Sequence, residues 1–129
     1  MKANELMIYD WVEYGQYITT VRQLSDKIIL SGCVGRLDEV RPVSITPEIL
    51  EANGIKHYKD CGRLSYYKRM EADFAIRYEI YAGYIGIELV DGNRISVDRS
   101  TKVHELQHVM RLIGLNDMAD NFKMKGGAK

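Results

Sequence analysis

Apolar residues recur at positions 103, 106, 109, 110 and 113 of the stretch VHELQHVMRLIGL. At about 100° per residue they fall in one arc roughly 120° wide, the width of a helical stripe that faces a core. The spacing predicts a helix over residues 103–113, capped by Ser100 or Asp98. On this wheel His104, His108 and Arg111 centre on the side opposite the stripe, and Gln107 falls between the two arcs.

Upstream the period changes from 3.6 to 2. Phe74, Ile76, Tyr78 and Ile80 alternate with Ala75, Arg77, Glu79 and Tyr81, and Ile85, Ile87 and Leu89 alternate with Gly86, Glu88 and Val90. Asp91-Gly92 is a hairpin turn into Ile95 and Val97. These read as antiparallel strands whose apolar rows make one surface, and the stripe of the final helix is the expected cover for it. Nearer the start, short aromatic and β-branched runs at residues 11–14 and 17–22 flank Gly15-Gln16. A third run at 27–31 follows the turn Ser25-Asp26, and a fourth at 35–41 closes at Pro42. This spacing suggests a small β meander of SH3-like type. Between the two β regions, Thr46 can cap, Pro47 suits the first helical turn, Glu48 complements the dipole, and Asn53-Gly54 supplies a left-handed exit. A helix this short needs a sheet to lie on, expected to be one mouth of the first β unit.

The expected fold is therefore α+β: an SH3-like β subdomain over residues 1–45, a connecting helix over 46–56, an antiparallel sheet covered by the C-terminal helix over 57–116, and a polar tail over 117–129 that frays. A chain of 129 residues, 46% hydrophobic and 28% charged, is long enough to fold around its own core. Eighteen basic residues balance eighteen acidic ones, which removes the strong positive field of a typical nucleic-acid binder and leaves room only for a local patch. Cys33 and Cys61 have no companions at metal or disulfide spacing and read as free thiols. There is no run of about 20 apolar residues and no apolar segment near Met1, so a cytoplasmic protein without a membrane partner is expected.

Two patterns carry chemistry. His104, Glu105 and His108 spell H-E-x-x-H, in which two imidazoles one helical turn apart hold zinc and the Glu acts as general base. A catalytic site needs a third protein ligand, and the candidates are Asp117, Asp120 and His57. The longer metzincin pattern fails, because Arg111 stands where Gly is required and Gly114 where the third His is required. The preferred reading is a packing helix, with a zinc-dependent hydrolase as the alternative. The second pattern is Arg63, Tyr66, Tyr67, Lys68 and Arg69, in which cations alternate with rings as single-stranded nucleic acid would require. An edge strand protected by Lys and Arg has the same appearance and is preferred. Trp11 reads as a core or rim filler rather than a ligand platform.

Three stretches, ELMIYDWVEY at 5–14, RPVSITPEILEANGI at 41–55 and VHELQHVMRLIGL at 103–115, resemble a group of short proteins encoded in prophages and other mobile elements of gut anaerobes. The group's final helix has the form V-H-x-L-Q, with amides frequent where this chain has Glu105 and His108. The resemblance implies no known activity and no metal at this helix. The expected function is that of a non-catalytic accessory protein without a cofactor. It would bind a protein partner or itself through a sheet edge or the polar face of the final helix, and nucleic acid is not the expected ligand.

Overall fold

The computed structural model describes residues 5–24 and 28–124 of the chain. It contains two compact units, one formed by residues up to Ser44 with Lys102–Asn121, the other by Ile45–Thr101 with the residues from Phe122 onward. The class is α+β, two open five-stranded antiparallel sheets and three short α-helices among the described residues. The expected turn at Ser25-Asp26 and the last residues of the tail lie outside the described residues.

In the first unit the strands are β1 (Trp11–Tyr14), β2 (Tyr17–Leu24), β3 (Ile28–Leu30), β4 (Cys33–Gly35) and β5 (Val40–Pro42), ordered β4-β3-β2-β1-β5. Gly15 has φ 62°, and Tyr14 pairs with Tyr17 across the expected two-residue turn. The run at 35–41 is not one strand. A 3-10 turn at Leu37–Glu39 interrupts it, where Arg36 reaches both Asp38 and Glu39. Leu6, Val12, Val21, Ile28, Leu30 and Val40 form the core of this sheet, with Tyr14, Leu24 and Leu37 packed on it.

The second unit holds α1 (Pro47–Ala52) and strands β6 (Lys56–Cys61), β7 (Leu64–Met70), β8 (Phe74–Glu79), β9 (Tyr84–Leu89) and β10 (Arg94–Arg99), a meander in the order β10-β9-β8-β7-β6. The start and exit of α1 are as the sequence predicts: Thr46 Oγ1 accepts from the Ile49 N–H at 3.3 Å, and Gly54 has φ 75°. The helix was expected to belong with the first β unit, but α1 groups with β6 in the second. Arg69 on β7 donates to the Asn53 carbonyl at 2.6 Å and pins the helix end there. The described part of the tail, up to residue 124, is also more ordered than its polarity suggested. Helix α3 spans Asn116–Asp120, Phe122 is buried, and Asn53 exchanges two hydrogen bonds with the Lys123 backbone at 2.7 and 2.8 Å.

Helix α2 (Val103–Leu112) buries its expected stripe: Val103, Leu106, Val109 and Met110 are inaccessible. Its cap is neither Ser100 nor Asp98. Strand β10 runs to Arg99, Lys102 forms an isolated bridge with Ser44, and the Val103 N–H donates to the Val43 carbonyl at 2.8 Å. Asp98 is still in β10 and Ser100 precedes the helix by three residues, so Lys102 becomes the cap and tertiary pairing replaces a side-chain bond. The helix was expected to group with the second sheet. It clusters instead with the first unit, for reasons that lie on its polar face.

Candidate functional site

Residues 7–11 fold over that polar face. Tyr9 adopts φ 73°, and the Asp10 carboxylate accepts from the Met7 N–H at 2.8 Å, a local turn that aims the rest of the carboxylate at α2. Asp10 is 0% exposed. His108 Nε2 donates to its Oδ2 at 2.6 Å and Arg111 Nη1 to its Oδ1 at 2.8 Å. Arg111 also donates to the Ile8 carbonyl at 3.1 Å and to Asp120 at 3.2 Å. One turn earlier, Gln107 Nε2 donates to the Tyr9 and Ala119 carbonyls, and its Oε1 accepts from the Trp11 N–H, each at 2.9 Å. Gln107, His108 and Arg111 thus tie α2 to a segment almost one hundred residues away. A buried carboxylate survives in such a place because three donors, one of them the Arg111 guanidinium, reach its two oxygens.

His104 is 4% exposed, its ring edge-on to His108 with centroids 5.6 Å apart, and its Nδ1 has no hydrogen-bond partner among the described residues. Burial pushes its pKa below the ordinary 6.5, against the pull of the Asp10 and Glu105 carboxylates, while neighbouring His108 adds to the depression. A histidine depressed in the folded state is protonated first in the unfolded one. Its contribution is therefore complete above pH 6.5 and is lost as pH falls through that value toward the folded pKa. The urea midpoint is expected to drop between about pH 7.5 and about pH 5.5. His104→Phe, which keeps the ring and removes the proton site, is expected to flatten that part of the profile.

The two histidines line a cleft of ≈ 280 Å³ with Glu5, Pro42, Lys102 and Glu105. The zinc arrangement is not assembled around it. His108 already gives Nε2 to Asp10. Asp120 is bound by Arg111, His57 Nε2 is bonded to Asp60 at 2.9 Å on β6, and Asp117 sits in the first turn of α3. Among the described residues no three His, Cys, Asp or Glu side chains converge as a metal site would require. The helical wheel was right about which residues share a face, and residues 7–11 cover part of that face.

The other candidate set is split by strand alternation. Strand β7 is interior, between β6 and β8, so its cations do not protect an edge. Tyr67 faces the core, where burial raises its hydroxyl pKa, and Arg69 is held by Asn53 and by Glu71 at 2.8 Å. Arg63 lies in the exposed β6–β7 turn. Tyr66 and Lys68 remain on the solvent face. There they join residues that the sequence reading left out: Tyr58 and Lys59 on β6, Arg77 on β8, Tyr84 and Glu88 on β9, and Arg94 on β10.

On this face cations lie over rings. Lys68 Nζ is 4.7 Å from the Tyr58 centroid, Arg77 is 5.6 Å and Lys59 5.9 Å from that of Tyr66, and Arg99 is 5.1 Å from that of Tyr84. Glu88 is the hub, within 3.4 Å of Lys68, 3.3 Å of Arg94 and 3.7 Å of Arg77. Burial raises its carboxyl pKa, and Lys68 and Arg94 outweigh that and hold it below the ordinary range. The alternation of Arg77, Gly86 and Glu88 with apolar neighbours was the signal that could have found this surface. No protein-family model, no curated protein and no solved structure matches the chain.

Proposed function

We propose that this chain is a non-catalytic interaction protein of a mobile element, and that its working surface is the solvent face of the second sheet. One observation carries the reading. Of the two imidazoles that a hydrolase would need free on α2, His108 is engaged by Asp10 in the first unit, and His104 is buried. The same bonds argue against the polar face of α2 as a docking surface. The mobile-element assignment is supported by the resemblance of residues 5–14, 41–55 and 103–115. The first unit is read as SH3-like, supported by the order β4-β3-β2-β1-β5, the register shift in β2 between Val21 and Gln23, and the 3-10 turn before β5. Exposed thiols at Cys33 and Cys61 suit a reducing cytoplasm.

The test is metal content by mass spectrometry on untagged protein equilibrated with zinc and freed of excess, alongside His108→Ala and Glu105→Gln. Equal and substoichiometric zinc in all three proteins is the expected result. Stoichiometric zinc that disappears in His108→Ala, with peptide hydrolysis abolished by Glu105→Gln, would overturn the reading in favour of a zinc hydrolase.

A further inference from the structure

The solvent face of the second sheet has a composition that names a ligand. Lys56, Lys59, Lys68, Arg77 and Arg94 share it with two carboxylates, Glu79 and Glu88. Glu79 is buried, and its oxygens accept from the N–H groups of Tyr81 and Ala82. What reaches solvent is a surface with more cations than carboxylates, Glu88 being shared by Lys68, Arg77 and Arg94, on a chain whose net charge is zero. Rings are interleaved with these cations, with Tyr58 and Tyr66 centroids 6.4 Å apart and Tyr84 50% exposed.

Between Tyr66 and Tyr84 lies a depression of ≈ 100 Å³, lined also by Arg77, Arg94 and Gly86. Gly86 cannot be replaced by a larger residue without cost, because a Cβ there would sit 2.8 Å from the Ile95 carbonyl oxygen. The glycine lets the β10 backbone approach closely at the floor of this depression, between two rings and two guanidinium groups. Rings that each already hold a cation at 4.7–5.9 Å, on an antiparallel sheet with one wet side, suit a polymer that alternates aromatic bases with phosphates.

We propose that this face binds single-stranded nucleic acid, with bases against Tyr58, Tyr66 and Tyr84 and phosphates at Lys59, Lys68 and Arg94. The proposal rests on the reading of this sheet as the working surface and adds the class of ligand. It needs no strong global charge, because stacking is tolerant of sequence and the cations act at short range.

The experiment is fluorescence anisotropy of the full chain with labelled oligo-dT and oligo-U of about 15 nucleotides, and with a labelled oligo-glutamate peptide of similar length. Saturable binding to both oligonucleotides is expected. It should weaken about 20-fold between about 50 and 200 mM salt, for about three phosphate contacts with a log–log slope near −0.7 each. Tyr84→Ala is expected to weaken binding about tenfold, while Tyr84→Trp retains it. Arg94→Ala is expected to weaken binding and flatten the salt dependence by about one phosphate contact. Circular dichroism of each variant separates these losses from unfolding, and both side chains are half or more exposed.

No anisotropy change at low salt overturns the proposal, as does binding indifferent to Tyr84→Ala and Arg94→Ala. Equal affinity for oligo-glutamate also overturns it, in favour of an acidic protein partner, and leaves the interaction-protein reading standing. That reading falls separately, by zinc loading and hydrolysis.

Discussion

Asp10→Ala is expected to lower the free energy of unfolding by about 3–5 kcal/mol, the range for removing one partner of a buried ionic cluster. The carboxylate is completely inaccessible and receives His108, Arg111 and the Met7 N–H. Without it, the Arg111 guanidinium, 13% exposed as a side chain, keeps only Asp120, Met7 and the Ile8 carbonyl among the described residues. The turn at Tyr9 loses the acceptor that closes it. Urea titration at neutral pH checks this: the midpoint should fall with an unchanged slope. Asp10→Asn keeps the shape and some hydrogen bonds but not the charge, and is expected to fall between wild type and alanine. If residues 7–11 did not cover α2, both changes would shift stability by no more than about 0.5 kcal/mol, as surface substitutions do.

Gln107→Leu is expected to destabilise by about 3 kcal/mol, although leucine is apolar and has a similar helix propensity. The amide is 0% exposed and satisfies the Trp11 N–H and the Tyr9 and Ala119 carbonyls. Leucine leaves these backbone groups without their partner, and each buried unsatisfied group costs roughly 1–3 kcal/mol. Hydrogen exchange locates the effect. Protection should fall first at Trp11, whose amide loses its acceptor, and at the amides of α3, whose docking depends on the Ala119 contact. A stability gain would mean that the amide is hydrated rather than buried. Because Gln107 and Asp10 hold the same segment, the double variant should lose less than the sum of the two.

Much of the architecture could be read directly. The stripe of α2, the Thr46 cap and Gly54 exit of α1, the Gly15-Gln16 hairpin and the alternation in β8 and β9 all depend on neighbours within a few residues. The candidate chemistry was legible only as residue types. H-E-x-x-H is visible as a string, but whether it holds a metal depends on Asp10, which stands 98 residues from His108 and carries no local mark of its role. The basic and aromatic run at 63–69 was visible too. Its division into a core set, Tyr67 and Arg69, and a surface set, Tyr66 and Lys68, follows from period-2 alternation once β7 is recognised as an interior strand.

By itself, then, the sequence determined the elements and the faces they present, because capping, turn geometry and periodicity are short-range effects of backbone sterics and side-chain polarity. Only the tertiary structure decided what each face meets. The polar side of α2 is partly covered because residues 7–11 supply a buried carboxylate and backbone groups matched to Gln107, His108 and Arg111. One side of the second sheet stays wet because Tyr66, Lys68, Arg77, Glu88 and Arg94 fall in register across adjacent strands. Both outcomes depend on pairings between residues far apart in the chain, which no local pattern encodes.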